Sequence, residues 1–94
     1  MKLSVTYFGQ IKAAIGLTVE ELEVANGSVT RLIEAIAARH GPDVHRLLLD
    51  DNGAPRASLM VIINDEQWLR DDPTVLETGD RVTLLPPISG GCPW

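Results

Sequence analysis

The period of the apolar positions changes several times along this chain, and each change predicts an element. From Met1 to Phe8, Leu3, Val5 and Tyr7 alternate with Ser4, Thr6 and Phe8, the period-two signature of a strand with one well-buried side. Gly9 and Gly16 bound a connection in which Gln10 to Ile15 is expected to form a short turn of helix. Leu17 to Val24 returns to an extended pattern, with Leu17, Val19, Leu22 and Val24 as its apolar members. Its period is imperfect: Val19 and Leu22 fall on opposite faces unless Glu20-Glu21 forms a bulge.

Asn26-Gly27 signals a turn, and beyond it Val29, Leu32, Ile33, Ile36, Ala37 and His40 recur at the three- and four-residue spacing of one helix face. Ser28 or Thr30 supplies the N-cap, and Gly41-Pro42 stops the helix. Asp43 to Leu49 is expected as a short second helical turn, and Asp50-Asp51-Asn52-Gly53 with Pro55 as an exposed loop. Leu59 to Ile63 reads as a buried strand turned at Asn64-Asp65, and Arg81 to Leu85 as a last strand that Pro86 ends. The order strand, strand, helix, strand, strand predicts an α+β fold. Its mixed sheet has the first and last strands side by side and one main helix covering one face.

Composition narrows the function classes. A chain of 94 residues has room for one domain. With 13 acidic against 8 basic residues the net charge is -5, which opposes nucleic-acid binding, where Lys and Arg must displace counterions from phosphate. A single cysteine excludes an intrachain disulfide, and no basic-then-apolar signal segment opens the chain. The longest apolar run, Leu59 to Ile63, is far short of the roughly 20 residues that cross a bilayer. The expectation is a cytoplasmic protein without a membrane or nucleic-acid partner.

The segment after Pro86-Pro87 differs in character: Ile88-Ser89-Gly90-Gly91-Cys92-Pro93-Trp94. Two consecutive glycines contribute no side chain to a core and cost folding entropy, so their use is to pass backbone through a narrow partner site. The two prolines fix successive φ angles and favour an extended exit. From Pro87 to Gly91 the chain reaches about 14–17 Å at full extension, enough to enter an active site from outside. The division expected is residues 1–87 as a domain and residues 88–94 as a flexible tail.

The run Gly79-Asp80-Arg81-Val82-Thr83-Leu84-Leu85-Pro86-Pro87-Ile88-Ser89-Gly90-Gly91 resembles the C-terminal signature of the ubiquitin-like sulfur carriers, the family of the small subunit of molybdopterin synthase and the thiamine sulfur carrier. The opening Leu3-Ser4-Val5-Thr6-Tyr7-Phe8-Gly9, the helix, and the strand ending Ile62-Ile63-Asn64-Asp65-Glu66 are similar to it as well. The resemblance implies a β-grasp fold and a protein that is modified rather than catalytic, with no bound cofactor. An E1-like partner spends ATP to adenylate the carboxylate of Gly91. Sulfide then displaces AMP and leaves a thiocarboxylate. A carboxylate is a poor electrophile and an acyl-adenylate a good one, and glycine at 90 and 91 keeps the acyl carbon open. Ser89 and Gly90 thread the partner's tunnel, and the matching sheet face meets the partner enzyme. Alternation in the last strand puts Val82 and Leu84 on one side and Leu85 on the other, so Phe8, Leu85 and Ile88 are candidates for an apolar docking patch, with a minor core as the competing place for Phe8.

One departure from the family pattern matters. Carriers of this kind mostly end at the second glycine, whereas Cys92-Pro93-Trp94 follow here, so the Gly91–Cys92 bond must be cut before the carboxylate exists. This resembles the precursors trimmed by a JAMM-type, deubiquitinase-like zinc metalloprotease. The acceptor of the sulfur is then a synthase, pyridoxal-phosphate dependent in one version, that makes cysteine, homocysteine or a secondary metabolite. The Ile63-Asn64-Asp65-Glu66 stretch resembles that of carriers serving amino-acid sulfur assimilation more than that of carriers serving thiamine. The alternatives are the small subunit of molybdopterin synthase and a ubiquitin-like protein modifier.

Other polar residues have structural readings. Cys92 lacks the cationic neighbour or helix N-terminus that a reactive thiol needs. His40 sits favourably at a helix C-terminus and His45 in a short polar helix, and no metal site is expected. The Asp50–Gly53 loop lacks the spacing of a calcium loop and reads as a solvated turn. Glu20-Glu21-Glu23 reads as a solvated strand edge.

Overall fold

The computed structural model describes residues 1–25, 27–69 and 74–86. The opening alternation produces β1 (Lys2–Tyr7), in which Leu3, Val5 and Tyr7 are buried. The connection after it is a full helix, α1 (Gly9–Ile15), closed by Gly16 at φ 86°, whose N–H donates to the Lys12 carbonyl. A left-handed residue at a helix end is where glycine has its advantage.

Strand β2 (Val19–Glu23) runs antiparallel to β1 with one-to-one pairing from Thr6–Val19 to Lys2–Glu23, so no bulge forms among its paired residues. Helix α2 (Val29–His40) buries Val29, Leu32, Ile33, Ile36 and Ala37 along one face, as its spacing predicts. Of the two candidate caps the chain uses Ser28, whose hydroxyl accepts from the Arg31 N–H at 3.3 Å. Gly41 ends α2, and Pro42 opens α3 (Pro42–Leu48) at a position where its missing N–H costs nothing.

Then come β3 (Met60–Ile63), β4 (Glu66–Trp68) and β5 (Arg81–Leu85). The sheet order is β2-β1-β5-β3-β4, with β1 and β5 parallel at its centre and the other pairs antiparallel. The first and last strands are neighbours, as expected. The fold class is a β-grasp with a five-stranded mixed sheet, α2 being its main helix and α1 and α3 shorter additions.

Two expectations need correction. Strand β4 is absent from the sequence reading because three residues, Glu66-Gln67-Trp68, are too few to display alternation; it forms by pairing back on β3 across the Asn64-Asp65 turn. Strand β3 is half-buried rather than buried: Val61 and Ile63 face the core, whereas Met60 is 38% exposed on the opposite face, which no described element covers.

The loop before β5 is tied to the start of α2. Leu76 N–H donates to the Gly27 carbonyl at 2.7 Å, and a Cβ on Gly27 would stand 2.7 Å from the Leu76 oxygen. Only glycine permits that approach. Buried residues of β1, β3, β5, α1, α2 and α3 join one hydrophobic cluster.

Candidate functional site

Ile88, Ser89, Gly90, Gly91 and Cys92 lie outside the described residues, as does the tail of residues 88–94 as a whole. What is described is the chain up to Pro86, just before that segment. Strand β5 finishes at Leu85 in the middle of the sheet, and Pro86 after it is buried.

On the face turned away from the helices, register sets apolar side chains in a row at this end. Leu85 pairs with Met60 across β5 and β3. Phe8 follows Tyr7 one step past the Tyr7–Leu84 pair, and its N–H donates to the Leu84 carbonyl at 3.2 Å, which brings it beside Leu85. The next row runs Val19, Thr6, Thr83, Ile62, Gln67 across all five strands. Phe8 is 45% and Val19 52% exposed, so Phe8 does not fill a minor core. Toward the other end the same face carries Glu21, Glu23, Lys2 and Arg81. Apolar character is concentrated where the tail begins.

Of the expected docking residues, the fold brings Phe8 and Leu85 together. It adds Met60 and Val19, which sequence reasoning missed. Their exposure follows from strand register: the imperfect period of β2 left the side of Val19 open, and the apolar run of β3 does not say which of its faces is covered.

Beneath that row, on the inner face, Glu20 is buried with three partners. Its Oε1 accepts from the Tyr7 hydroxyl and from His40 Nε2, each at 2.8 Å, and its Oε2 accepts from Arg39 Nε at 2.9 Å. The solvated reading of the glutamate run therefore holds for Glu21 and Glu23 and fails for Glu20, because the last turn of α2 delivers donors to it. Burial alone disfavours the charge, yet the hydrogen bonds from His40, Tyr7 and Arg39 outweigh it and hold the carboxyl below the ordinary glutamate range. Burial first, and the Glu20 acceptor second, push the Tyr7 hydroxyl far up.

The opposite end of the sheet is closed by its own polar atoms. Asn64 and Asp65 take φ of 49° and 74° in the β3–β4 turn, a conformation that Asn and Asp tolerate. Asn64 Nδ2 donates to Asp80 Oδ1 and its Oδ1 accepts from Arg81 N–H, both at 2.9 Å, while Asp80 Oδ2 accepts from Glu77 N–H at 2.8 Å. Asn64-Asp65 and Gly79-Asp80-Arg81 are thus explained by two interlocked turns.

A groove of about 320 Å³ lies at this end, lined by Asn64, Glu66, Gln67, Glu77 and Asp80 over Trp68. The Asp50 loop is likewise a turn: Asp50 Oδ1 accepts from the N–H groups of Asn52 and Ala54. Among the described residues no group of three or more His, Cys, Asp or Glu is placed to hold a metal, and no helix is long and apolar enough to cross a membrane.

Comparison with known proteins agrees with this fold. The family model described as the ThiS family matches residues 5–91. The molybdopterin synthase sulfur carrier subunit of Chlamydomonas reinhardtii is 27% identical over 92 residues, covering 97% of this chain and all of that protein. The crystal structure of SAMP1 from Haloferax volcanii superposes with a TM-score of 0.83 at 22% identity, over 97% of this chain and all of that one. A putative molybdopterin converting factor subunit 1 from Pyrococcus furiosus gives 0.68 at 28% identity, over 93% and 98%.

Proposed function

The chain belongs to the ThiS family of ubiquitin-like sulfur carriers, non-catalytic proteins, and from that membership we propose that Gly91 is where it carries sulfur. Removal of Cys92-Pro93-Trp94 exposes the Gly91 carboxylate. An E1-like enzyme adenylates that carboxylate with ATP, releasing pyrophosphate, and sulfide displaces AMP to leave a thiocarboxylate for small-molecule biosynthesis. The ATP belongs to the activating enzyme, and the protease that cuts Gly91–Cys92 is a JAMM-type zinc enzyme.

One observation carries the reading. The central strand β5 ends in an outward apolar row, exposed Phe8 and Met60 with half-buried Leu85 between them, and its next residue, Pro86, is buried. A partner docked on that row meets the tail at a held base, which reduces the freedom lost when Ser89, Gly90 and Gly91 enter its active site. The occupant proposed for the row is the enzyme that receives the tail, because Leu85 of the row stands only three residues before Ile88 in the sequence, and Ile88 is proposed to meet the same enzyme. The Asn64-Asp65-Glu66 stretch serves a turn, so it gives no separate support to an amino-acid acceptor.

A second reading, the small subunit of molybdopterin synthase, is favoured by the full-length match to a protein of that description. Intact-mass analysis after incubation with the protease, the activating enzyme, ATP and a sulfide source tests the first. A chain ending at Gly91 with one oxygen replaced by sulfur is expected. Sulfur transfer by a chain that keeps Cys92-Pro93-Trp94 refutes the trimming step. Stable association with a large subunit and restored molybdoenzyme activity would select the second reading. Gly91→Ala is expected to leave the melting temperature unchanged and to lower thiocarboxylate yield by at least about tenfold, since an added methyl crowds both the cut bond and the acyl carbon.

A further inference from the structure

The proposed chemistry of the tail gives Glu20 no role, yet this residue is a buried carboxylate on an edge strand of the sheet. The segment Val19-Glu20-Glu21-Leu22-Glu23-Val24 has two workable arrangements. A bulge at Glu20-Glu21 turns Val19, Leu22 and Val24 inward and every glutamate outward, which is the solution that apolar burial alone favours. The chain adopts the other, with unbroken pairing to β1, Glu20 buried and Val19 more than half exposed.

A carboxylate in that position is tolerable only if its oxygens are satisfied. Tyr7 of β1 and Arg39 and His40 of α2 do this, and they are the titratable and charged side chains that contact it. An ionised carboxylate can only accept, so His40 presents Nε2–H to it. We propose that Glu20 is a positioning residue: its donors select the unbulged register of β2 and so hold Val19 on the outer face, beside Thr6 and one step from Phe8, widening the apolar row. That the row receives an enzyme rests on the proposed function; the choice of register does not.

The test reads register by cross-strand NMR contacts in the full chain. In the wild type both Thr6–Val19 and Leu3–Leu22 contacts are expected. In Tyr7→Phe/His40→Ala, only Arg39 remains, and being largely exposed it can follow the carboxylate outward. There the Thr6–Val19 contact should be lost while Leu3–Leu22 persists. Adding Glu20→Val to that background, which makes the inward side chain apolar, should restore Thr6–Val19. Persistence of Thr6–Val19 without the two donors overturns the proposal, and so does failure of Glu20→Val to restore it. Neither result depends on a partner enzyme, so failure of the docking reading would leave the register result intact.

Discussion

The two faces of the central sheet carry side chains of similar kind to different ends. On the inner face, Leu3, Val5, Val61, Val82 and Leu84 are closed over by helices, and Glu20, the one buried charge among the described residues, has donors on both of its oxygens. On the outer face Phe8, Val19 and Met60 are left in water, although Val19 and Met60 lie in β2 and β3 and Phe8 directly follows β1. Burial of the first set holds the fold together; exposure of the second costs stability that binding can recover. The same residue types thus serve stability or recognition according to the parity of their position in a strand.

The largest effect should come from the inner face. Leu32→Ala removes a buried α2 side chain and is expected to lower unfolding stability by about 2–5 kcal/mol in a denaturant titration. A loss under about 1 kcal/mol would mean that the helix-covered side is not the main core. Asn64→Ala, at the closed end of the sheet, deletes two side-chain hydrogen bonds and should cost about 1–3 kcal/mol by the same measurement.

Phe8→Asp inverts the expectation for the outer face. Its melting temperature should stay within a few degrees of wild type, while affinity for the activating enzyme, followed by titration calorimetry, should fall about tenfold, or about 1.4 kcal/mol. Destabilisation without loss of affinity would erase the distinction between the faces.

The smallest effect concerns acid. The Glu20 carboxyl is held below its ordinary value in the folded chain, so the unfolded chain binds more protons between the two values. Its contribution is complete at neutral pH and is lost as pH falls through the lowered native value. Glu20→Gln should therefore flatten the acid limb of stability against pH; an unchanged limb would show that Glu20 is not titrating there.

Much of this was legible in the chain. The α2 stripe from Val29 to Ala37 is local information, since every third or fourth residue must share a face, and its cap and stop signals lie alongside. The parity of β1 and β5 was equally clear. Strand β2 was not, because hydrophobicity and regular pairing disagree about Val19, and donors that settle the matter sit on α2, remote in sequence. Of the candidate site, Phe8 and Leu85 were recognisable as outward by alternation, but Met60 was assigned to a buried strand because an apolar run does not reveal which of its faces is covered.

By itself, then, the sequence determined the order of the elements apart from β4, the α2 face and the Gly90-Gly91 motif that follows β5, because each depends on residues close together along the chain. Tertiary structure alone decided that Met60 lies beside Leu85, that Val19 stays outside, and that Asn64 binds Asp80. Those facts depend on the register between distant segments, and a register exists only once the strands have paired.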